Sequence, residues 1–200
     1  MAATLLMIAG AYLLGSVSFA VVVSRLLDLP DPHTYGSRSP GATNVLRTGR
    51  KGAAALTLAG DALKGFVAVA IVAWLVPRTG AASWTPAAAG VAVFVGHLFP
   101  VFHRFAGGKG VATAAGVVFA WHWPLGLALA VIWLLVALGF RISSLASLTT
   151  ALLLPLGMFY VAGPEAAQSW ASLAIALLLF WRHRANIRRL LAGSEPQIGR

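Results

Sequence analysis

Four polar clusters interrupt an otherwise apolar chain, and each carries residue types that could bind an anion or move a proton. The first is a stretch punctuated by glycine and proline that holds Ser37, Thr43, Asn44 and Arg47. Hydroxyl, amide and guanidinium donors are what a phosphate or carboxylate needs for oriented binding, although a solvated loop has the same composition. The second is Gly107-Gly108-Lys109-Gly110. A glycine turn lets several backbone N–H groups converge on an anion, and a lysine inside it adds a full charge; a flexible connector is the competing reading. It is not a nucleotide-binding P-loop. That motif needs a glycine five residues before its Gly-Lys and a Ser or Thr after the lysine, and here those places hold His103 and Gly110. The third cluster is His183 and Asn186, three apart and therefore on one face of a helical continuation, followed by Arg188, Arg189 and Glu195. His183 could serve as a base or hydrogen-bond donor, while a basic tail equally suits a lipid surface. The fourth is Asp61 and Lys64, placed i, i+3 inside an apolar run, where mutual neutralisation is favoured over a proton relay. Ser143, Ser144 and Ser147 open a later apolar run, as capping or interhelical hydrogen-bonding groups do. For His97, His103 and His122 no metal is expected, because cysteine is absent and carboxylates are few.

The elements that must position these residues are membrane helices. The chain is 59% hydrophobic and 10% charged, with apolar runs long enough to span a bilayer, which defines an all-α polytopic membrane protein. A net charge of +10 would suggest nucleic acid in a soluble protein. Here it is accounted for by the bias of Lys and Arg to cytoplasmic loops and by anionic lipid headgroups, so no nucleic-acid partner is expected. With no cysteine there is no disulfide or thiolate chemistry. The N-terminal run lacks a basic leader and a small-residue cleavage site, and reads as a retained span.

The spans fall at about Thr4–Leu27, Ala53–Val76 (ending before Pro77), Pro86–Phe102, two between Val111 and Phe140, Ser144–Val161 and Glu165–Trp181. The Val111–Phe140 region could be one long helix or two broken near Trp121-His122-Trp123-Pro124, and charge decides between them. Seven transmembrane helices, N-terminus outside and C-terminus cytoplasmic, bring Arg25, Arg38, Arg47, Arg50, Lys51, Arg104, Lys109, Arg141 and the Arg182–Arg189 cluster inside, leaving only Arg78 outside. Pro124 also suits the first turn of a new helix. All polar loops and the tail to Arg200 then share the cytoplasmic face of a single domain, residues 1–200.

Taken together, the motifs resemble one family. Gly36–Gly49 (G-S-R-S-P-G-A-T-N-V-L-R-T-G), Asp61–Gly65 (D-A-L-K-G), Gly96–Pro100 (G-H-L-F-P), Phe105–Thr113 (F-A-G-G-K-G-V-A-T), Ser144–Ser147 (S-L-A-S) and His183–Glu195 are similar to the bacterial acyl-phosphate:glycerol-3-phosphate acyltransferase (PlsY) family. Arg38-Ser39-Pro40 and Ala106 depart from its usual residues. The resemblance implies a seven-helix enzyme of the bacterial inner membrane with its active site at the cytoplasmic face. It would transfer a fatty acyl group from acyl phosphate to the sn-1 hydroxyl of glycerol 3-phosphate, giving lysophosphatidic acid and phosphate at the start of phospholipid synthesis. Acyl phosphate is already activated, so no cofactor is implied. The implied catalytic residues are Ser37, Arg47, Lys109, His183 and Asn186, with Thr43, Asn44, Gly107, Gly108, Gly110 and Ser147 binding substrate. The His-x4-Asp pair of other glycerolipid acyltransferases is absent. A transporter of small anions or phosphate esters is the alternative, disfavoured because the polar residues gather at one face and no inverted repeat is visible.

Overall fold

The computed structural model describes residues 1–198; Gly199 and Arg200, the end of the basic tail assigned to the cytoplasmic face, lie outside the described residues. Those residues are helical or irregular, with no strand among them. The chain divides into two compact units, Met1–Trp121 and a second beginning at His122.

The first unit contains α1 (Ala2–Gly15), α2 (Phe19–Leu26), the short α3 (Ala42–Leu46), α4 (Lys51–Thr79), α5 (Thr85–Leu98) and α6 (Val111–Trp121). Sequence predicts one continuous first span. In the structure it is broken, with α1 and α2 meeting at a bend of 42°. The break lies at Ser16–Ser18, inside the G-S-V-S stretch, and it strands backbone carbonyls that a continuous helix would satisfy. Lys64 resolves this from α4: its ammonium donates to the carbonyls of Gly15 (2.9 Å) and Val17 (2.6 Å) and pairs with Asp61 at 2.9 Å. The Asp61–Lys64 pair therefore does more than neutralise charge, because it pins a broken helix.

Small residues allow the close helix contacts of this unit. A Cβ on Gly15 or Gly96 would fall within 3.0 Å of backbone across the α1–α5 contact, and one on Gly65 or Gly116 would do so across α4–α6. Phe94, Leu98, Val69, Val93 and Val117 fill the interior. The second span also differs from expectation at its end. Helix α4 continues through Pro77 to Thr79 and stops at Gly80 in the left-handed region. Proline cannot donate to the turn before it, and the adjacent Arg78 guanidinium donates to the Trp74 carbonyl in that last turn.

The second unit contains α7 (Trp123–Phe140), α8 (Ser143–Ala162), α9 (Ala167–Arg182) and α10 (Arg184–Leu191). The chain does break beside His122, whose Nδ1 accepts the Leu125 N–H at 3.2 Å, and Pro124 occupies the first turn of α7. Leu154, Met158, Ile175 and Leu179 are buried, whereas Leu134, Leu135, Leu138, Leu152, Leu156 and Tyr160 are exposed, an apolar exterior suited to lipid. Beyond α10 the tail turns back, and the Ile198 N–H donates to the Arg141 carbonyl at 2.7 Å. The Arg141 loop and the tail therefore share one end of this unit.

Among the described residues, four helical stretches are long and apolar enough to cross a bilayer: Lys51–Thr79, Thr85–His103, Trp123–Phe140 and Ser143–Ala162. The bent α1–α2 pair makes five. Helices α6, with 11 residues, and α9, with 16, are shorter than the expected spans.

Candidate active site

In the first unit, the polar loop folds around Asn44. Its Nδ2 donates to the carbonyls of Pro32 (2.9 Å) and Tyr35 (3.3 Å). Its Oδ1 accepts from the Ser37 N–H (3.0 Å) and the Ser37 hydroxyl (3.3 Å). With 3% of its surface exposed, Asn44 is the loop's buried organiser, while Ser37, Thr43 and Arg47 remain exposed. Gly36, at φ +55°, lets the Arg47 side chain lie across it. Arg47 makes no ion pair among the described residues.

The Gly107–Gly110 turn is entered through two consecutive left-handed residues, Arg104 (φ 51°) and Phe105 (φ 61°). Non-glycine residues rarely adopt this conformation. It is held here by the Phe105 N–H donating to the Pro100 carbonyl at 2.9 Å. The turn then packs on the end of α5, with the Gly108 N–H donating to the His97 carbonyl at 3.2 Å. A Cβ on Gly107 would collide with the His97 and Leu98 carbonyls, and one on Gly108 with the His97 ring and the Pro40 carbonyl. The glycines are thus required for close approach, and the segment is a built turn rather than a loose connector. Gly107, Gly108 and Gly110 are buried and Lys109 is partly exposed.

Pro40 belongs to the first loop, so that loop and the glycine turn touch directly. A second tie runs through His33, whose ring bridges the Asp31 carboxylate (2.7 Å) and the Ala106 carbonyl (2.9 Å). The His33 backbone N–H also donates to Asp31 and, against a smaller opposing effect of burial, keeps that carboxyl below its ordinary range. The structure thereby brings Ser37, Thr43, Asn44 and Arg47 to the same end of the unit as Gly107–Gly110. Sequence reasoning passed over His33 and saw no carboxylate partner for His97. Asp61 Oδ1 in fact lies 3.5 Å from His97 Nδ1. These are pairs, and no group of three or more His, Asp or Glu side chains among the described residues is placed to hold a metal.

In the second unit, His183 and Asn186 are buried at the α9–α10 junction. His183 Nδ1 lies 2.8 Å from the Leu179 carbonyl. A carbonyl can only accept, so Nδ1 carries the hydrogen and the lone pair of the neutral ring sits on Nε2, the arrangement of a base or acceptor. Asn186 Nδ2 donates to Glu195, which also accepts from the Ser144 hydroxyl (2.6 Å) and Arg189 Nε (2.6 Å). Burial would raise the Glu195 carboxyl, but these three donors and the Arg189 charge together hold it below its ordinary value. Glu195 is the residue that fixes Asn186. Its signal in the sequence was its rarity, as one of five acidic residues. Ser147 Oγ donates to the Ser143 carbonyl (2.8 Å) and accepts from Trp133 Nε1 (3.1 Å), tying α8 to α7.

Apolar helices, a glycine turn with a lysine beside an arginine loop, and a buried imidazole–amide pair define an all-helical, multi-pass integral membrane protein with the groups to handle phosphorylated molecules. The family model described as glycerol-3-phosphate acyltransferase matches residues 5–193, and the chain belongs to that family. It is 57% identical over 197 residues to the glycerol-3-phosphate acyltransferase of Burkholderia pseudomallei strain K96243, covering 98% of this chain and 95% of the relative. The Burkholderia multivorans relative of the same description is 56% identical over 190 residues, covering 94% and 88%. The fold matches crystal structures of PlsY (YgiH), an integral membrane glycerol 3-phosphate acyltransferase, at 40% identity. Its glycerol 3-phosphate form gives a TM-score of 0.89, covering 98% of this chain and 96% of that one. The lysophosphatidic acid form gives 0.87, covering 98% and 95%.

Proposed function

We propose that this chain, acting as one catalytic domain, transfers a fatty acyl group from acyl phosphate to the sn-1 hydroxyl of glycerol 3-phosphate. A C–O bond forms between that hydroxyl oxygen and the acyl carbon, the acyl–phosphate C–O bond breaks, and phosphate leaves with the electron pair. The hydroxyl proton passes to the released phosphate or to a nearby base, and the products are lysophosphatidic acid and phosphate. The observation that carries this reading is the built Gly107–Gly110 turn packed against the Arg47 loop in a chain of this family. Lys109 and Arg47 bind phosphate, helped by the turn amides. Ser37, Thr43 and Ser147 supply hydrogen bonds, Asn44 holds the first loop in shape, and Asn186 and His183 orient the glycerol phosphate and its hydroxyl. Catalysis is then positioning and electrostatics, with no covalent enzyme intermediate. The matched solved protein in its glycerol 3-phosphate and lysophosphatidic acid forms supports the same substrate and product here.

The fuller topology is part of this reading: seven spans with α6 and α9 as short ones, N-terminus outside, C-terminus and active site at the cytoplasmic face of the bacterial inner membrane. The short lengths of α6 and α9 fit spans whose polar ends are absorbed into folded loops. The test is purified protein supplied with acyl phosphate and labelled glycerol 3-phosphate. Lysophosphatidic acid forms with the wild type, and Lys109→Ala abolishes its formation while still inserting in the membrane. Near-normal turnover by that variant refutes the assignment.

A further inference from the structure

We propose that Asp61 and His97 are positioning residues for the reaction: the Asp61 carboxylate orients the His97 imidazole, and His97 in turn sets the Gly107–Gly108 backbone and so the location of Lys109. The inference rests on reading Lys109 as a phosphate ligand.

Four observations carry it. Asp61 and His97 are both buried, on α4 and at the end of α5, with Asp61 Oδ1 3.5 Å from His97 Nδ1. Asp61 is itself anchored by Lys64, which is fixed by two carbonyls of the α1–α2 break. The His97 carbonyl accepts the Gly108 N–H, and its ring Nε2 lies so close to Gly108 that a single methyl there would collide with it. Finally, the same added methyl would also meet the Pro40 carbonyl of the first loop. The turn is thus packed closely against both the imidazole and the loop that carries Arg47. Motion of the ring would be transmitted to Lys109 one residue on.

An ion pair that merely stabilised the bundle would not need to touch the turn. The distinguishing feature is that the imidazole presents one nitrogen to the carboxylate and the other to Gly108. Substitutions can separate those two contacts. Asn reproduces a donor near the Nδ1 position, facing Asp61, whereas Gln places its amide near the Nε2 position.

The experiment is steady-state kinetics of purified protein in nanodiscs, with acyl phosphate saturating and glycerol 3-phosphate varied. His97→Ala is expected to raise the glycerol 3-phosphate KM about tenfold or more, with a smaller change in kcat, since sub-ångström misplacement of a ligand-binding group costs one to two orders of magnitude. His97→Gln, which keeps an amide against Gly108, should recover part of the loss, and His97→Asn, which does not reach Gly108, should not. Added to Lys109→Ala, assayed by equilibrium binding of glycerol 3-phosphate, His97→Ala should weaken binding no further. If His97→Ala does not insert, the Asn and Gln pair decides alone: equal KM values overturn the proposal. It is also overturned if His97→Ala lowers thermal stability with KM unchanged, or if its effect multiplies with that of Lys109→Ala. Wild-type binding by Lys109→Ala itself would instead sink the phosphate reading, whatever His97 does.

Discussion

Adding one methyl group to Gly108 is the sharpest test of the turn. A Cβ at this position falls inside 3.0 Å of both His97 Nε2 and the Pro40 carbonyl oxygen, whereas ordinary van der Waals contact begins at 3.4 Å, so about 1 Å of separation must be found. Neither neighbour yields easily: the His97 ring faces the buried Asp61 carboxylate, and Pro40 is backbone in a loop organised by Asn44. The displacement therefore falls on the turn itself and moves Lys109. A shift of about 1 Å in a substrate-positioning group costs about a hundredfold in rate, equivalent to about 2.7 kcal/mol of transition-state stabilisation. Initial rates of lysophosphatidic acid formation against glycerol 3-phosphate should show kcat/KM reduced by about that factor in Gly108→Ala. Gly139→Ala, where nothing lies within 4 Å of the added carbon, should retain wild-type kinetics. A folded Gly108→Ala enzyme with normal kcat/KM would refute the claim that the glycine is there for close approach and that the turn positions a catalytic charge.

Two further expectations concern the second unit and the membrane topology. Glu195→Gln removes charge-assisted hydrogen bonds to Ser144, Asn186 and Arg189, and should cost about 1.5–3 kcal/mol of stability at neutral pH. Because the folded-state carboxyl is held below its ordinary value of 4.5, that contribution is fully present above 4.5 and is lost as pH falls through the depressed value. Thermal denaturation should show the gap between wild type and variant constant at higher pH and closing in acid; a gap that persists at the acid end, or none at neutral pH, contradicts the account. The chain has no native cysteine, so single cysteines are clean topology probes: in intact cells an impermeant thiol reagent should label Arg78→Cys and leave Arg104→Cys and Ser194→Cys unlabelled, and the reverse pattern rules out the proposed orientation.

What the sequence made legible was local. The Gly107–Gly110 turn, the Asn44 loop and the break before Pro124 are each specified by residues a few positions apart, through glycine geometry, side-chain-to-backbone hydrogen bonding and proline's fixed φ. The contacts that hold these pieces in place connect distant residues and left little local trace. Lys64 reaches the carbonyl of Gly15, His33 reaches Ala106 and Ser144 reaches Glu195 across 51 residues. Asp61 and Lys64 were recognisable as a pair because their spacing is helical, but the helix break they serve was hidden. Small residues such as those of Gly15–Ser18 suit close helix packing as well as a break, and it is the structure, with the 42° bend and the reach of Lys64, that shows the backbone opening there. Glu195 was visible as a residue and invisible as a hub, since its three donors come from Ser144 of α8 and from Asn186 and Arg189 of α10.

The placement of the few carboxylates also bears on how a phosphate is bound. The chain has 15 basic and 5 acidic residues. Asp61 faces Lys64 and His97, Asp31 faces His33, and Glu195 faces Arg189. Each of these acids organises scaffold, and none pairs with Arg47. A carboxylate beside Arg47 would have to be displaced by an incoming phosphate, and the bidentate attraction that makes arginine useful for phosphate would be spent within the protein. The positive-inside bias explains an excess of cations in the loops, but it does not require an arginine with no ion-pair partner among the described residues to lie across a left-handed glycine in a loop braced by a buried asparagine. That geometry costs conformational freedom, and it supports the proposal that Arg47 binds a substrate phosphate.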